Sequence, residues 1–313
     1  MFEEKAVPMP MTTRTKAKKS KKLGDDALYG WLFASPWVIG LLLFFAVPLV
    51  SSLYFSFTTY SILQPGEFVG FRNYVELMAD SVFWKSISNT VYFVVFFVPL
   101  SIFFGVALAM LLNMRVRGMA VYRTIFFLPT LVPAVAMAVL WMWLLNPGFG
   151  LVNGMLDVVG IQGPAWLGSE TWSKPSLILM SLWGIGQSVV IYLAGLNDIS
   201  PDYYEAGDID GANWFHKMKS ITLPLLTPVI FFNLVMGIIG AFQQFTLPYT
   251  MTGGRGTPAD SMKFYVMYLY DNGFKFFKMG YASAMAWILF IIVMALTALI
   301  FYTSKKWVHY QGE

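Results

Sequence analysis

Six blocks of about twenty or more predominantly apolar residues divide this chain of 313 residues, and the short polar segments between them carry nearly all of the charge. A helix needs about 20 apolar residues to cross the roughly 30 Å hydrocarbon core of a bilayer. Charged residues make up only 12% of the chain, about half the share in a soluble domain. The blocks therefore predict an all-α polytopic membrane protein with six transmembrane helices, at residues 31–53, 87–112, 120–145, 175–196, 224–246 and 281–303.

The segments outside these spans are short and basic. We expect residues 1–30 to form a disordered tail, residues 31–305 the transmembrane domain and residues 306–313 a second tail. Seven of the 21 Lys and Arg residues lie within the first 22 positions, beside a membrane span, so anionic lipid is a simpler partner for them than nucleic acid. The first apolar block is longer than that of a secretory signal and no small-residue cleavage site follows it, which predicts a retained helix.

The distribution of Lys and Arg predicts the orientation of the chain, because these residues accumulate in cytoplasmic loops. With six spans, fourteen of them lie on the side of the two termini and seven on the other side. Both termini are therefore expected in the cytoplasm, in a multi-pass protein of the plasma membrane. Arg123 is the one formally charged residue inside a predicted span. The spans thus offer no carboxylate for a coupling ion, which disfavours an ion-driven transporter.

The residue types that carry catalysis are also scarce. The chain has no Cys, which excludes a thiolate nucleophile, a disulfide and a cysteine metal site. His216 and His309 have no metal-ligating companion at helical spacing, and the glycine-rich run at 253–256 lacks the Lys and Ser or Thr of a phosphate-binding loop. We therefore expect no catalytic residue, no metal site and no bound cofactor, and a membrane-embedded enzyme is disfavoured.

The loop between the fourth and fifth spans, residues 197–223, has the local signals of two short helices. Ser200, Pro201 and Asp202 supply an N-cap, a proline at the first helical position and an acid in the first turn. Gly211 then marks a turn with positive φ, and residues 212–218 resume a helical pattern of apolar residues. The predicted helix-turn-helix has one apolar face toward the spans and one free for docking.

This loop and the residue that follows it contain a distinctive set of residues: Glu205-Ala206-Gly207, Asp210-Gly211-Ala212, Phe215, Ile221, Leu223 and Pro224. The set resembles the EAA loop of binding-protein-dependent ABC importer permeases, with Gly207 in place of the third alanine, a change that costs a helix about 1 kcal/mol. Residues 68–74, 122–129 and 251–254 also resemble segments of carbohydrate-uptake permeases of the maltose type, in the six-span form. The likeness covers about residues 30–305.

The resemblance implies a maltose-type ABC importer permease fold and a division of labour among subunits. In that family the loop sits in a groove of an ATP-binding subunit, and two copies of that subunit use ATP and Mg. The implied partners also include a second homologous permease chain and an extracytoplasmic solute-binding protein, in a bacterial or archaeal plasma membrane. The residues assigned to ATPase coupling by this resemblance are Glu205, Ala206, Gly207, Asp210, Gly211, Ala212 and Phe215.

Polar and aromatic residues at membrane depth are costly, so they line a cavity or bind another helix. The fourth and fifth spans hold such residues, among them Tyr192 and Asn233. Amides and aromatic rings suit a sugar, and Trp183 and Gln187, four residues apart, are predicted to share a helix face. The candidate substrate-binding residues are Trp183, Gln187, Ser188, Gln243 and Gln244.

Other interpretations of this polar set remain open. Each of these residues has interhelical hydrogen bonding as its alternative role. For the chain, the alternatives are an ABC importer permease for a polyol or a glycerol-phosphate-type solute, and a facilitator that works without ATP.

Overall fold

The computed structural model of this chain describes residues 23–114 and 116–309. Within these ranges the secondary structure is helical apart from two isolated β-bridges, and the expectations for residues 1–22 and 310–313 lie outside them. The helices are α1 (Leu23–Leu41), α2 (Val47–Ser56), α3 (Arg72–Ala79), α4 (Ser81–Leu112), α5 (Met119–Phe127), α6 (Ala134–Leu144), α7 (Leu151–Val158), α8 (Ser173–Trp183), α9 (Gly186–Asn197), α10 (Pro201–Ile209), α11 (Trp214–Lys217), α12 (Leu223–Phe242), α13 (Thr246–Thr252), α14 (Tyr265–Tyr270) and α15 (Met279–Ser304).

Short non-α turns interrupt this series. Leu42–Ala46, Met218–Thr222 and Asp271–Lys275 are π-helical, and Leu128–Leu131 is a 3₁₀-helix. The chain divides into two compact units at Ser51. The first unit contains α1 and the start of α2, so that its helix begins ahead of the tail boundary expected near residue 30. The second unit contains all helices from α3 onward.

Four of the apolar segments are single helices long enough to cross a membrane: Leu28–Ser56, Ser81–Leu112, Trp214–Thr252 and Met279–Ser304. The other two, predicted as continuous spans at 120–145 and 175–196, are broken. Met119–Leu131 and Ala134–Leu144 meet at 99°, and α8 and α9 meet at 49°. Within the described residues the fold therefore has four candidate spans, or six when each bent pair counts as one.

Proline accounts for the sharper of the two bends. Pro133 is the N-cap of α6, and the residue before it, Val132, has an extended backbone with ψ 124°. A residue that precedes proline is sterically excluded from the helical region, so the helix stops there. Pro129 lies in the 3₁₀ turn just before the bend. The sequence predicted a single span over residues 120–145, whereas the structure divides it at this proline.

The two broken spans pack against each other near their breaks. A Cβ on Gly186, the first residue of α9, would lie 2.5 Å from the carbonyl oxygen of Phe126 and 2.8 Å from Cγ2 of Thr130. Both distances are below what side chains tolerate, so glycine is needed for this approach. The start of α9 therefore sits directly on the end of α5 and the turn that follows it.

Helix α4 lies at the centre of the second unit, with α8, α9, α12 and α14 packed around it. Tyr192 of α9 is fully buried, and its ring lies where a Cβ on Gly105 of α4 would be, 2.8 Å from Tyr192 Cε2. At the C-terminal end of α4, the Arg123 guanidinium donates two hydrogen bonds, of 3.1 and 3.0 Å, to the carbonyl oxygen of Leu112. The charge of Arg123 thus caps a helix, where the negative end of the helix dipole favours a cation.

The N-terminal end of α4 is held by Asp80. Its carboxylate accepts hydrogen bonds from the N–H groups of Val82 and Phe83, at 2.8 and 3.3 Å, and from the hydroxyls of Tyr268 and Tyr281, at 2.5 and 2.8 Å. One side chain therefore joins α4, α14 and α15. Burial, followed by the hydrogen bond to Asp80, raises the pKa of Tyr268 to about 12.

Helices α12 and α15 show which parts of the chain lie at each end of the second unit. Helix α12 begins at the 197–223 loop and has 20 residues, so it ends about 30 Å away. Helix α15 returns, because the His309 N–H donates to Thr227 Oγ1 at 2.9 Å and Phe231 contacts the rings of Phe301 and Trp307 at centroid distances of 4.9 and 6.1 Å. Residues 243–278 therefore lie at the end of the second unit opposite the 197–223 loop.

Candidate functional site

The 197–223 loop forms the two helices that its sequence predicts. The hydroxyl of Ser200 accepts the Asp202 N–H at 3.3 Å at the start of α10. Gly211 has φ +74°, and Asn213 Oδ1 then accepts the His216 N–H at 2.9 Å to begin α11. The prediction of a helix, a glycine turn and a second helix is confirmed. The start of each helix is set by a cap within a few residues, which is why local sequence sufficed there, whereas α11 continues through the π-helical turn Met218–Thr222 into α12.

Contacts inside the loop make it a defined unit. The Lys217 ammonium pairs with the Asp208 carboxylate, and the hydroxyls of Tyr204 and Thr222 are 3.0 Å apart. Gly207 is buried, and a Cβ there would lie 3.2 Å from Cδ1 of Ile221. An alanine methyl group here would require the Ile221 side chain to shift by a few tenths of an ångström, a contact that the sequence did not predict.

The outer surface of the loop is apolar and uncovered. Ile209, Trp214 and Phe215 are 88, 70 and 61% exposed, around the Gly211 turn. Glu205 and Asp210 are also exposed, and Ala212 is half-buried. Among the described residues nothing in this chain covers these three large side chains. A cluster of exposed apolar groups rimmed by polar ones is typical of a protein interaction site. Ile209 was not among the predicted coupling residues. A large apolar residue between two acids, Asp208 and Asp210, is the sequence feature that could have indicated an exposed apolar contact.

A second site lies between α4, α9 and α12, at the depth of the helix break in α8 and α9. It is a cavity of about 340 Å³ whose wall includes Gln187 and Ser188 from α9 and Asn233 from α12. Tyr192 also lines it. A cavity of this size with a few convergent polar groups is the usual form of a small-molecule site.

The polar atoms of this cavity are largely unused within the described residues. The Gln187 amide and the Ser188 hydroxyl make no hydrogen bond there, and Asn233 donates only to the carbonyl oxygen of Val229, at 2.9 Å. The hydroxyl of Tyr192 is buried without a partner. Gln187 is exposed and Ser188 half-buried, so both are available to a polar solute, whereas the buried Tyr192 hydroxyl without a hydrogen bond costs about 1–3 kcal/mol. Tyr192 and Asn233 were not among the predicted site residues.

The structure separates Trp183 from Gln187, although the sequence placed them on one helix face. Trp183 lines a different, mainly apolar groove of about 610 Å³ together with Phe126 and Trp141. Its ring centroid is 6.1 Å from that of Trp141, edge to face. The reason is the 49° break between α8 and α9, which falls between the two residues and breaks the spacing of four on which the prediction relied.

Gln243 and Gln244 occupy a third position. Gln243 is the C-cap of α12 and Gln244 follows it, before α13 begins. Neither residue lines the cavity of Gln187. Of the five predicted substrate-binding residues, only Gln187 and Ser188 line this cavity. Gln243 and Gln244 lie at and beyond the end of α12.

Charged groups lie outside this cavity. Its wall contains no Lys, Arg, Asp or Glu. At the end opposite the 197–223 loop, Asp271 pairs with Lys263 at 2.8 Å and with Lys275 at 2.7 Å. The hydrogen bond with Asp271 raises the pKa of Lys275 above its usual value. Over residues 23–114 and 116–309, no group of three or more His, Asp or Glu side chains is placed to hold a metal ion.

Comparison with known proteins identifies the class. Residues 101–309 match the family described as the inner membrane component of binding-protein-dependent transport systems. The chain is 42% identical to the probable ABC transporter permease protein YesP of Bacillus subtilis, over 95% of this chain and 96% of that one. It is 34% identical to the lactose transport system permease protein LacF of Rhizobium radiobacter, over 88% and 94%. The chain therefore belongs to the family of ABC transporter permeases that work with binding proteins.

The fold agrees with this assignment. A crystal structure of a bacterial ABC transporter that imports the acidic polysaccharide alginate contains a chain that superposes with a TM-score of 0.76 at 24% identity, over 91% of this chain and 99% of that one. At that identity the likeness speaks for the fold. The prediction of an ABC importer permease, made from the EAA-like loop, is confirmed.

Proposed function

We propose that this permease carries a neutral sugar or short oligosaccharide through the cavity lined by Gln187, Ser188, Tyr192 and Asn233. The Gln187 amide carries the proposal, because it lines the cavity, is exposed and makes no hydrogen bond among the described residues, so a solute can bond to it. Relatives named for lactose and for trehalose and maltose support a sugar. The cavity wall has no cationic side chain, which disfavours a glycerol phosphate.

The proposed energy source is a separate ATPase that docks on the 197–223 loop. Ile209, Trp214 and Phe215 form the apolar contact, and Gly211 allows the turn between them. Glu205 is exposed beside them and free to pair with a basic or backbone donor of the partner. In this scheme two ATPase copies bind ATP and Mg, and this chain needs no ATPase site. Their closure moves the loop as a rigid piece and alternates access to the cavity.

The proposed topology has six spans, with each bent pair as one span and with both termini in the cytoplasm of a bacterial or archaeal cell. The contact between His309 and Thr227 supports it, because it puts the end of α15 beside the start of α12 and thus beside the 197–223 loop. The excess of Lys and Arg on that side supports the orientation.

The proposed assembly contains three further kinds of chain. Because this permease has one docking loop and the ATPase is a dimer, a second homologous permease fills the other groove. An extracytoplasmic binding protein delivers the sugar to the opposite end of the second unit. A crystal structure of the alginate transporter in complex with its substrate-bound periplasmic protein, similar in fold to this chain, supports such a partner.

The docking proposal is tested by co-purification. Phe215→Asp places a charge in the apolar contact, so the ATPase should be lost from the purified membrane complex. Phe149→Asp is the matched control, because Phe149 is 67% exposed and precedes α7, beyond the far end of α6. Equal recovery of the ATPase with both variants would contradict the docking assignment.

The substrate proposal is tested by uptake of labelled sugars in cells that lack the native gene. Gln187→Ala removes an amide from the cavity and should reduce uptake about tenfold, the effect of one lost hydrogen bond of about 1.4 kcal/mol. Trp183→Ala should retain most of the uptake, because Trp183 lines the other groove. Uptake of a polyol but of no sugar would instead favour the alternative solute class.

A further inference from the structure

Four aromatic rings form a continuous cluster just beyond the end of α12, opposite the 197–223 loop. Phe245 lies between α12 and α13, Tyr249 is in α13, Tyr270 ends α14 and Phe274 follows in the π-helical turn. Ring centroids are 4.9 Å apart for Phe245 and Tyr249, 5.2 Å for Phe245 and Tyr270, 5.5 Å for Tyr249 and Tyr270, and 5.1 Å for Tyr270 and Phe274. We refer to these four residues as the aromatic cluster.

A cation and a glycine loop hold the aromatic cluster in place. Lys275 Nζ lies 5.1 Å from the ring centroid of Tyr249 and 2.7 Å from Asp271 Oδ1. The same Nζ donates to the carbonyl oxygen of Gly254 at 3.3 Å. Gly254 has φ +76°, and a Cβ there would lie 2.9 Å from both Lys275 Nζ and Tyr249 Cε2. These contacts hold the Tyr249 ring, and Asp271 neutralises the lysine beside it.

The aromatic cluster is nevertheless open on one side. Phe274 is 55% exposed, and the other three rings are half-buried. The hydroxyls of Tyr249 and Tyr270 make no hydrogen bond among residues 23–114 and 116–309, and neither hydroxyl is buried. The surface therefore combines an apolar ring face with two available hydroxyls.

An open strip of α12 leads from the cavity toward the aromatic cluster. Asn233 and Gly237 line the cavity, and Gly240 lies on the same helix face, one turn further along. A Cβ on Gly240 would meet nothing within 4 Å. Gln243 and Gln244 come next, and neither amide makes a hydrogen bond within the described residues. The strip thus supplies space in its middle and unused amides at its end.

We propose that the aromatic cluster is a second carbohydrate site, at which a pyranose ring stacks on the rings of Tyr270 and Phe274 before it passes along α12 to the cavity. This inference rests on the proposed sugar transport. The C–H face of a pyranose is apolar and its hydroxyls project outward, so it matches a ring surface edged with hydroxyls and amides. A fixed surface also spares the ligand the cost of ordering the protein.

The test measures weak sugar binding to the full chain in lipid nanodiscs. Saturation-transfer NMR is recorded with lactose, trehalose and maltose at millimolar concentration. Phe274→Ala and Tyr270→Ala should each weaken the signal roughly two- to tenfold, the change produced by one lost aromatic contact. Phe276→Ala is the matched control, since Phe276 is 59% exposed, belongs to the same segment and lies outside the aromatic cluster. Thermal unfolding of each variant checks that it is folded.

The outcomes separate this inference from the proposed function. Signal that depends on Gln187 but not on Tyr270 or Phe274 would show sugar transport without an outer site, and would contradict the inference alone. An aromatic cluster that docks the binding protein and binds no sugar would give this same dependence on Gln187 alone, and would also contradict the inference. Absence of signal with all three sugars in the wild-type chain would overturn the proposed sugar function and the outer site together.

Discussion

Gly105 of α4 and Tyr192 of α9 pack so closely that a Cβ on the glycine would lie 2.8 Å from Cε2 of the tyrosine. This contact sets the position of the buried Tyr192 ring and therefore of its hydroxyl at the cavity. Gly105→Ala should reduce the free energy of unfolding by about 1–3 kcal/mol, the usual cost of overpacking a core. Thermal unfolding in detergent measures the change. Gly240→Ala is the control, because its methyl group meets no neighbour, and an equal loss in both variants would contradict the packing argument.

The hydroxyl of Tyr192 should matter to transport and not to folding. It is buried without a partner among the described residues, so Tyr192→Phe removes a group that is costly in the empty protein. We expect thermal stability equal to or above that of the wild type and a lower rate of sugar uptake. A variant with reduced stability and normal uptake would show that the hydroxyl bonds within the protein and not to solute.

The contact between the two broken spans is tested at Gly186. A methyl group there would lie 2.5 Å from the carbonyl oxygen of Phe126, a backbone atom that cannot rotate away. Gly186→Ala should therefore lower both stability, by about 1–3 kcal/mol, and uptake. Gly184→Ala, on the other side of the break, is the matched control for stability alone, because the nearest atom to its new methyl group is 3.6 Å away and Gly184 itself lines the cavity. Unchanged uptake in Gly186→Ala would mean that this contact is dispensable for transport.

Asp80 predicts a dependence of stability on pH. Burial alone raises its pKa, but hydrogen bonds from Tyr268, Tyr281 and the N–H groups of Phe83 and Val82 outweigh burial and hold the pKa below the ordinary value of 3.8. A carboxyl group with a lowered folded-state pKa stabilises the protein fully above its unfolded pKa, and that contribution disappears as the pH falls through the folded pKa. The unfolding temperature should therefore drop below about pH 4.

The Asp80→Asn variant isolates this contribution. Asparagine keeps a side-chain oxygen for the cap of α4 but carries no charge. The unfolding temperature of the variant should therefore be lower than that of the wild type at pH 7. It should also depend less on pH between about 3 and 5, the range in which carboxyl groups titrate. An identical pH profile in the variant and the wild type would assign the acid sensitivity to other carboxyl groups.

Local signals explain what the sequence predicted well. The caps at Ser200 and Asn213 and the turn at Gly211 act over three or four residues, so the starts of both helices of the 197–223 loop were predictable. Tertiary contacts explain what was missed. Gly207 was expected only to weaken α10, yet the structure places it against Ile221, in the segment that returns after the turn.

The sequence by itself determined the class of this protein, because long apolar blocks predict membrane helices and the residues of the 197–223 loop resemble the EAA loop of ABC importer permeases. Only the tertiary structure decided which residues share a cavity. The break between α8 and α9 separates Trp183 from Gln187, and the approach of α12 to α9 brings Asn233 beside Tyr192. Helical periodicity describes faces of one continuous helix, whereas a cavity is defined by several helices and by where they bend.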